Sequence, residues 1–156
     1  LHRSPRSLLA ALDDGVRGGA GIVIQFPFYA GIMAIMTQTG LAAALSEWFV
    51  SFSTAQTLPF WSFISAGIIN IFIPSGGGQW AVQAPIMLPA AQALNADTAK
   101  VIMGVAWGDA WTNLLQPFWA LPMLGIAGLK PRDIMGFCVV ALLFTGIIIG
   151  TVLLLA

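Results

Sequence analysis

The chain has 156 residues, of which 58% are hydrophobic and only 8% charged, and its mean hydropathy is +0.90. A soluble domain carries about a quarter charged residues, so this composition indicates an integral membrane protein. Six basic residues balance six acidic ones, which argues against a nucleic-acid partner.

Residues 1–17 carry Arg3, Arg6, Asp13, Asp14 and Arg17 and read as a cytoplasmic loop. Leu1 is not an initiator methionine, so the chain is expected to be part of a longer protein. The first apolar segment, residues 18–37, can cross an apolar core of about 30 Å at about 1.5 Å per residue. Pro27 is expected to kink it. Residues 41–53 contain Glu47 and are too short to span, which suggests an interfacial arm. Residues 58–73 and 80–94 would reach only about 22–24 Å each as helices. Between them lies "PSGGGQ", an uncharged break. A re-entrant hairpin over 58–94 explains this best, and two short full spans remain the alternative. Residues 98–127 are too long for one straight span and are interrupted by "GDAWTN". The expectation is a broken helix, with one half ending near Trp107 and the other running from about Asn113 to Ile126. Residues 130–133 form an aqueous loop, and 134–156 the last span. Arg3, Arg6, Arg17, Lys130 and Arg132 would share the cytoplasmic side, with Lys100 outside.

The polar residues within these segments carry the chemistry. Asp109 lies about 13 Å along a helix from Lys100, hence near the middle of a bilayer. A carboxylate there costs at least a few kcal/mol, so it has either a cation or proton to bind or protein donors to satisfy it. Thr112, Asn113 and Gln116 follow it, then Pro117. Carbonyls freed at a helix break suit a cation, and amides at the start of the next half-helix suit an anion. At the other break, Ser75 and Gln79 offer side-chain hydrogen bonds. Gly76, Gly77 and Gly78 are expected to permit positive φ angles and close approach of a ligand to bare backbone. "SGGG" lacks the Lys-Ser/Thr of a phosphate loop, which excludes nucleotide binding. A plain loop is the competing reading.

Trp48 and Trp61 read as interface anchors. Trp80, Trp107, Trp111 and Trp119 flank the proposed site and could wall an apolar cavity, although packing is the simpler role for each. Met33, Met36 and Met87 read as packing, and "GIIIG" in the last span as a close-packing face. Cys138 is single, so no internal disulfide is possible. The one histidine, His2, is remote from the apolar segments, which removes Ser–His and Cys–His catalysis and a histidine metal site. The protein is not expected to be an enzyme or to need a cofactor.

Three stretches, "QFPFYAGIM", "PSGGGQWAVQAPIMLPAA" and "GDAWTNLLQPFWALPMLGIAGL", together resemble the bacterial short-chain fatty acid transporter family. More distantly, the order of elements is similar to the ion transporter superfamily. The resemblance covers most of the chain from about Gly15. It implies an all-α membrane protein, the C-terminal inverted repeat of a two-repeat fold, in the bacterial cytoplasmic (inner) membrane. The N-terminal repeat would be a missing partner, and a homodimer is compatible. It implies secondary active uptake of short monocarboxylates such as butyrate or acetoacetate, coupled to Na+ or H+, with a passive anion channel or uniporter as the alternative. By position, substrate contacts fall on Ser75, Gly76, Gly77, Gly78, Gln79, Thr112, Asn113 and Pro117. Cation or proton coupling falls on Asp109, with no metal beyond a Na+ there. "SGGG" replaces the Ser-Asn-Thr hairpin tip of divalent-anion/sodium symporters, which leaves the choice between sodium and proton open.

Overall fold

A computed structural model describes residues 4–116 and 120–155, and every regular element among them is helical. Helix α1 spans Pro5–Gln38. It starts where Ser4 and Ser7 cap each other's backbone amides and Pro5 takes the first helical position. Residues 5–17, expected as loop, are therefore its first turns. Pro27 lies inside it. Gly40, at φ 73°, turns the chain into α2, Leu41–Ser51. That left-handed angle is open to glycine at no steric cost. Helix α2 stands where the interfacial arm was expected. Its end is tied to the next helix by aromatic contacts of Phe49 and Phe52 with Trp61, at centroid distances of 5.8 and 5.0 Å.

Helix α3, Leu58–Asn70, and α4, Gly76–Ala93, flank a short non-helical step. Helix α4 begins earlier than expected. Ser75 is its N-cap and accepts a hydrogen bond from the Gly78 amide. The three glycines are thus the first helical turn. They do not adopt positive φ angles, which the described residues reserve for Gly40, Gly128 and Asn95. The serine cap satisfies one of the orphan amides of the first turn, which offsets part of the weak helix propensity of the glycines.

Helix α5, Thr98–Thr112, is capped by Asp97, whose carboxylate accepts from the Ala99 and Lys100 amides. It does not end near Trp107. "GDAWT" completes the helix, and the break comes later, as a 3-10 turn at Asn113–Leu115. The second piece, α6, runs Leu121–Ala127, not from Asn113. Pro117 and Trp119 lie outside the described residues. Helix α7, Pro131–Leu155, closes the chain. Helices α1 and α7 are each long and apolar enough to cross a membrane. Exposed Val23 and Phe28 on α1, and Phe137 and Ile147 on α7, leave broad apolar faces for lipid or further protein to cover.

The tightest packing joins α3 to α5. Gly104 and Gly108 stack one turn apart on α5 and face the α3 backbone at Pro59 and Phe63. A side chain on Gly108 would meet the Ala66 Cβ at 2.7 Å and the Gly67 amide at 2.9 Å. On the other side, Trp111 lies over Phe63 with ring centroids 4.7 Å apart, donates to the Leu142 carbonyl at 2.7 Å, and fills the space against Gly146. Trp111 is therefore a packing residue, and "GIIIG" receives rings, Trp111 at Gly146 and Phe60 at Gly150. Leu58, Ala66, Met87, Val101 and Val105 form the core between α3, α4 and α5.

Close approach of α3 and α5 depends on having no side chain at Gly108. Gly108→Leu should prevent recovery of folded protein. Gly136→Ala, in open space on α7, should be neutral or stabilise by up to about 1 kcal/mol. Size-exclusion profiles and thermal melts in detergent check both; a normal melt for Gly108→Leu would show that the helices can part without cost.

Candidate functional site

A buried polar junction surrounds the C-terminal end of α3. The last carbonyls of a helix have no intrahelical partner, and in apolar surroundings they must find one. Side chains from three other segments supply it. Gln79 of α4 donates through Nε2 to the Ala66 carbonyl at 2.9 Å. Thr112 of α5 donates to the Gly67 carbonyl at 2.8 Å. Gln116, beyond the 3-10 turn, donates through Nε2 to the carbonyls of Asn70 and Ile71 at 3.2 and 2.6 Å. In return Asn70 of α3 reaches the end of α5. Its Nδ2 lies 2.8 Å from the Asp109 carbonyl, 3.1 Å from the Thr112 hydroxyl and 2.9 Å from Asn113 Oδ1.

A second polar chain runs along α4. Gln79 Nε2 also donates to Gln83 Oε1 at 2.9 Å, and Gln83 Nε2 reaches Ser65 and Ser46 at 3.2 and 3.3 Å. Asn70, Gln79, Gln83, Ser46 and Ser65 are all fully buried. Of these only Gln79 stands out in the sequence. Asn70 hides in the apolar run "GIINIFI", and Gln83 sits one turn after Gln79 on the same helix face. The spacing of Gln79 and Gln83 is the signal that could have revealed the chain.

These bonds leave acceptors over. The side-chain oxygens Asn70 Oδ1, Gln79 Oε1, Gln116 Oε1 and Asp109 Oδ1 are buried and have no hydrogen-bond partner in the structure. Flipping the Gln79 or Gln116 amide would not help, because it would point an oxygen at a backbone carbonyl. Buried polar atoms are nearly always satisfied, so a group of unpaired acceptors calls for a donor or a cation. Oxygen ligands of this kind suit a hard cation, and equally a water or a proton on the carboxylate.

Asp109 is half-buried on the last turn of α5 and points at the start of α4. Its Oδ2 would lie 3.4 Å from a Cβ placed on Gly76. The carboxylate thus stands against the positive end of α4. A cavity of about 280 Å3 opens beside it, lined by Gly76, Gln79, Trp80, Val105 and Asp109 among others. Ser75, Gly76, Gly77 and Gly78 lie at this helix start, and Ser75, Gly76 and Gly77 are exposed. Thr112 is nearby but buried, its hydroxyl engaged with Gly67, Gly108 and Asn70. Asn113 joins the same network through Asn70.

The described residues form an all-helical structure with two helices long and apolar enough to cross a membrane, compatible with a membrane protein, and a buried polar junction between the shorter ones. The short chain fatty acid transporter family model matches residues 1–156. The chain is also 49% identical over 148 residues to an Escherichia coli (strain K12) protein provisionally named short-chain fatty acid transporter, covering 95% of this chain and 34% of that one. A Haemophilus influenzae (strain ATCC 51907 / DSM 11121 / KW20 / Rd) protein of the same provisional name is 50% identical over 145 residues, covering 93% and 32%. The chain belongs to the short chain fatty acid transporter family, and it spans about a third of the length of these relatives. No solved structure matches it significantly.

The Asn70 bonds hold α3 and α5 together. Asn70→Leu should leave the Asp109 carbonyl unpaired and lower stability by about 1–3 kcal/mol. A double-mutant cycle of Asn70→Leu with Thr112→Val should show a coupling of about 0.5–2 kcal/mol, read from detergent melts. Additive effects would mean the two side chains act separately.

Proposed function

We propose that the chain is part of a longer secondary carrier, in a bacterial cytoplasmic membrane, that takes up short monocarboxylates such as butyrate or acetoacetate together with Na+ or H+. Family membership supports the substrate class. The observation that carries the coupling is the Asp109 carboxylate against the first turn of α4.

The first turn of a helix attracts anions through its free amides and dipole. Exposed Gly76 and Gly77 bring a ligand close to those amides without side-chain obstruction. A substrate carboxylate placed there faces Asp109. Two unit charges about 4 Å apart repel by about 4 kcal/mol at an effective dielectric of 20. The substrate therefore binds well only when a proton or cation neutralises Asp109. The unpaired oxygen of Gln79, which lines the same cavity, helps to hold a cation there. Binding of the two becomes mutually dependent, which is the thermodynamic basis of symport. In this reading α3 and α4 form a re-entrant hairpin, with α5 and α6 as the facing broken helix.

The test uses the full-length protein in proteoliposomes, with labelled butyrate and an inward Na+ gradient, an inward H+ gradient, or neither. Accumulation above equilibrium under one gradient is expected and names the ion. Equilibration unaffected by either gradient would indicate a channel or uniporter. Asp109→Asn should remain folded and lose gradient-driven accumulation; unaltered accumulation in that variant would end the role assigned to Asp109.

A further inference from the structure

Two cavities flank the first turn of α4. The one facing α5 contains Asp109, as described. The other faces α1, has a volume of about 170 Å3, and is lined by Phe26, Tyr29, Ala30, Met33, Pro74 and Ser75. Residues 26, 29, 30 and 33 follow helical spacing and form one face of α1. Met33 closes this space against α4, since a Cβ on Gly78 would meet its sulfur at 3.1 Å. Tyr29 and Ser75 bring hydroxyls to this space, and the Ser75 oxygen already accepts from the Gly78 amide.

We infer that this α1-side cavity holds the alkyl chain of the carried acid and sets its length limit. The inference rests on the reading of the protein as a carboxylate carrier. A carboxylate at the first turn of α4 could send its tail to either side. On the α5 side Trp80, Ile102, Val105 and Ala106 also offer apolar wall, but a tail there would lie beside the Asp109 carboxylate and the Gln79 amide and keep water or a cation from them, which is costly. On the α1 side it meets the rings of Phe26 and Tyr29, a methyl, a thioether and a proline ring; two hydroxyls, of Tyr29 and Ser75, border this space, and the Ser75 oxygen is engaged by the cap. The sizes also agree. At about 30 Å3 per water-sized group, the cavity accommodates about five or six such groups, the bulk of a four-carbon acid. The wall of the tail site is thus Phe26 and Tyr29 of α1. Trp111 is engaged in packing against Phe63 and α7, and Trp80 lines the other cavity.

The experiment measures how well acetate, butyrate and hexanoate compete for labelled butyrate uptake by the full-length protein in proteoliposomes. Ala30→Leu fills the cavity and should lower butyrate relative to acetate by about tenfold or more, the usual discrimination of a methylene-sized change. Phe26→Ala enlarges it and should raise hexanoate relative to butyrate by a similar factor. Trp80→Ala, across the helix, should leave the chain-length order as it is. An unchanged order in both α1 variants overturns the inference, and so does a shift that follows Trp80→Ala instead. Binding gives a second readout if transport by the variants is too weak. In the full-length protein with Ala30→Cys and every native cysteine, Cys138 included, replaced by serine, butyrate should slow labelling by a membrane-permeant maleimide more than acetate does, and equal or absent protection overturns the inference. Absence of any carboxylate uptake by the unaltered protein would instead bring down the carrier reading on which the inference rests.

Discussion

The structure depends on how the end of α3 is satisfied. A helix that stops in apolar surroundings leaves carbonyls that water cannot reach, each at a cost of a few kcal/mol if unpaired. Here Thr112 and Gln116 supply the donors from two different segments, and Gln79 adds a bond to the Ala66 carbonyl one turn earlier. Asn70 reciprocates at the end of α5. The bonds are short enough to form only because Gly104 and Gly108 let α5 lie directly on the α3 backbone. Glycine is a poor helix former in water. In this helix it is tolerated because the contact it permits aligns a row of hydrogen bonds.

The same arrangement prepares the candidate site. An amide has two donors and one oxygen, and the carbonyls of α3 engage the donors. What remains is an excess of buried oxygens, of which those of Gln79 and Asp109 border the cavity at the start of α4. The framework and the site are therefore made from the same residues. A variant at Asn70 or Gln79 will change both, whereas Asp109, whose Oδ1 has no hydrogen-bond partner, can be altered with less effect on folding. Helix α1 stands apart from this network. It meets the start of α4 through Met33 and a cavity, an arrangement suited to shape selection more than to bonding.

Much of the architecture was legible in the chain. An interruption between the segments at 58–73 and 80–94 and the apolar segment at 134–156 follow from hydropathy, although α3 ends earlier, at Asn70. The errors share one cause. "SGGG" and "GDAWTN" look like breaks because glycine, serine and asparagine interrupt helices in water. In the structure Ser75 caps a helix that contains the three glycines, and "GDAWT" finishes α5 as a packing stripe. Residues 5–17 were read as loop because they are charged, yet Ser4, Ser7 and Pro5 are strong helix-start signals. Asn70 passed unnoticed because a single asparagine scarcely changes the hydropathy of its window.

By itself the sequence determined the class of protein, the approximate helical segments and the family resemblance, because hydropathy and motif identity are local properties that add up along a window. Only the tertiary structure decided which polar atoms meet. Asn70 pairs with Asp109 and Thr112, and Gln116 with Asn70 and Ile71, across separations of 39 to 46 residues. Such pairings arise when helices pack, and the glycines that allow the packing look locally like breaks. Which oxygens are left unpaired follows from that packing alone.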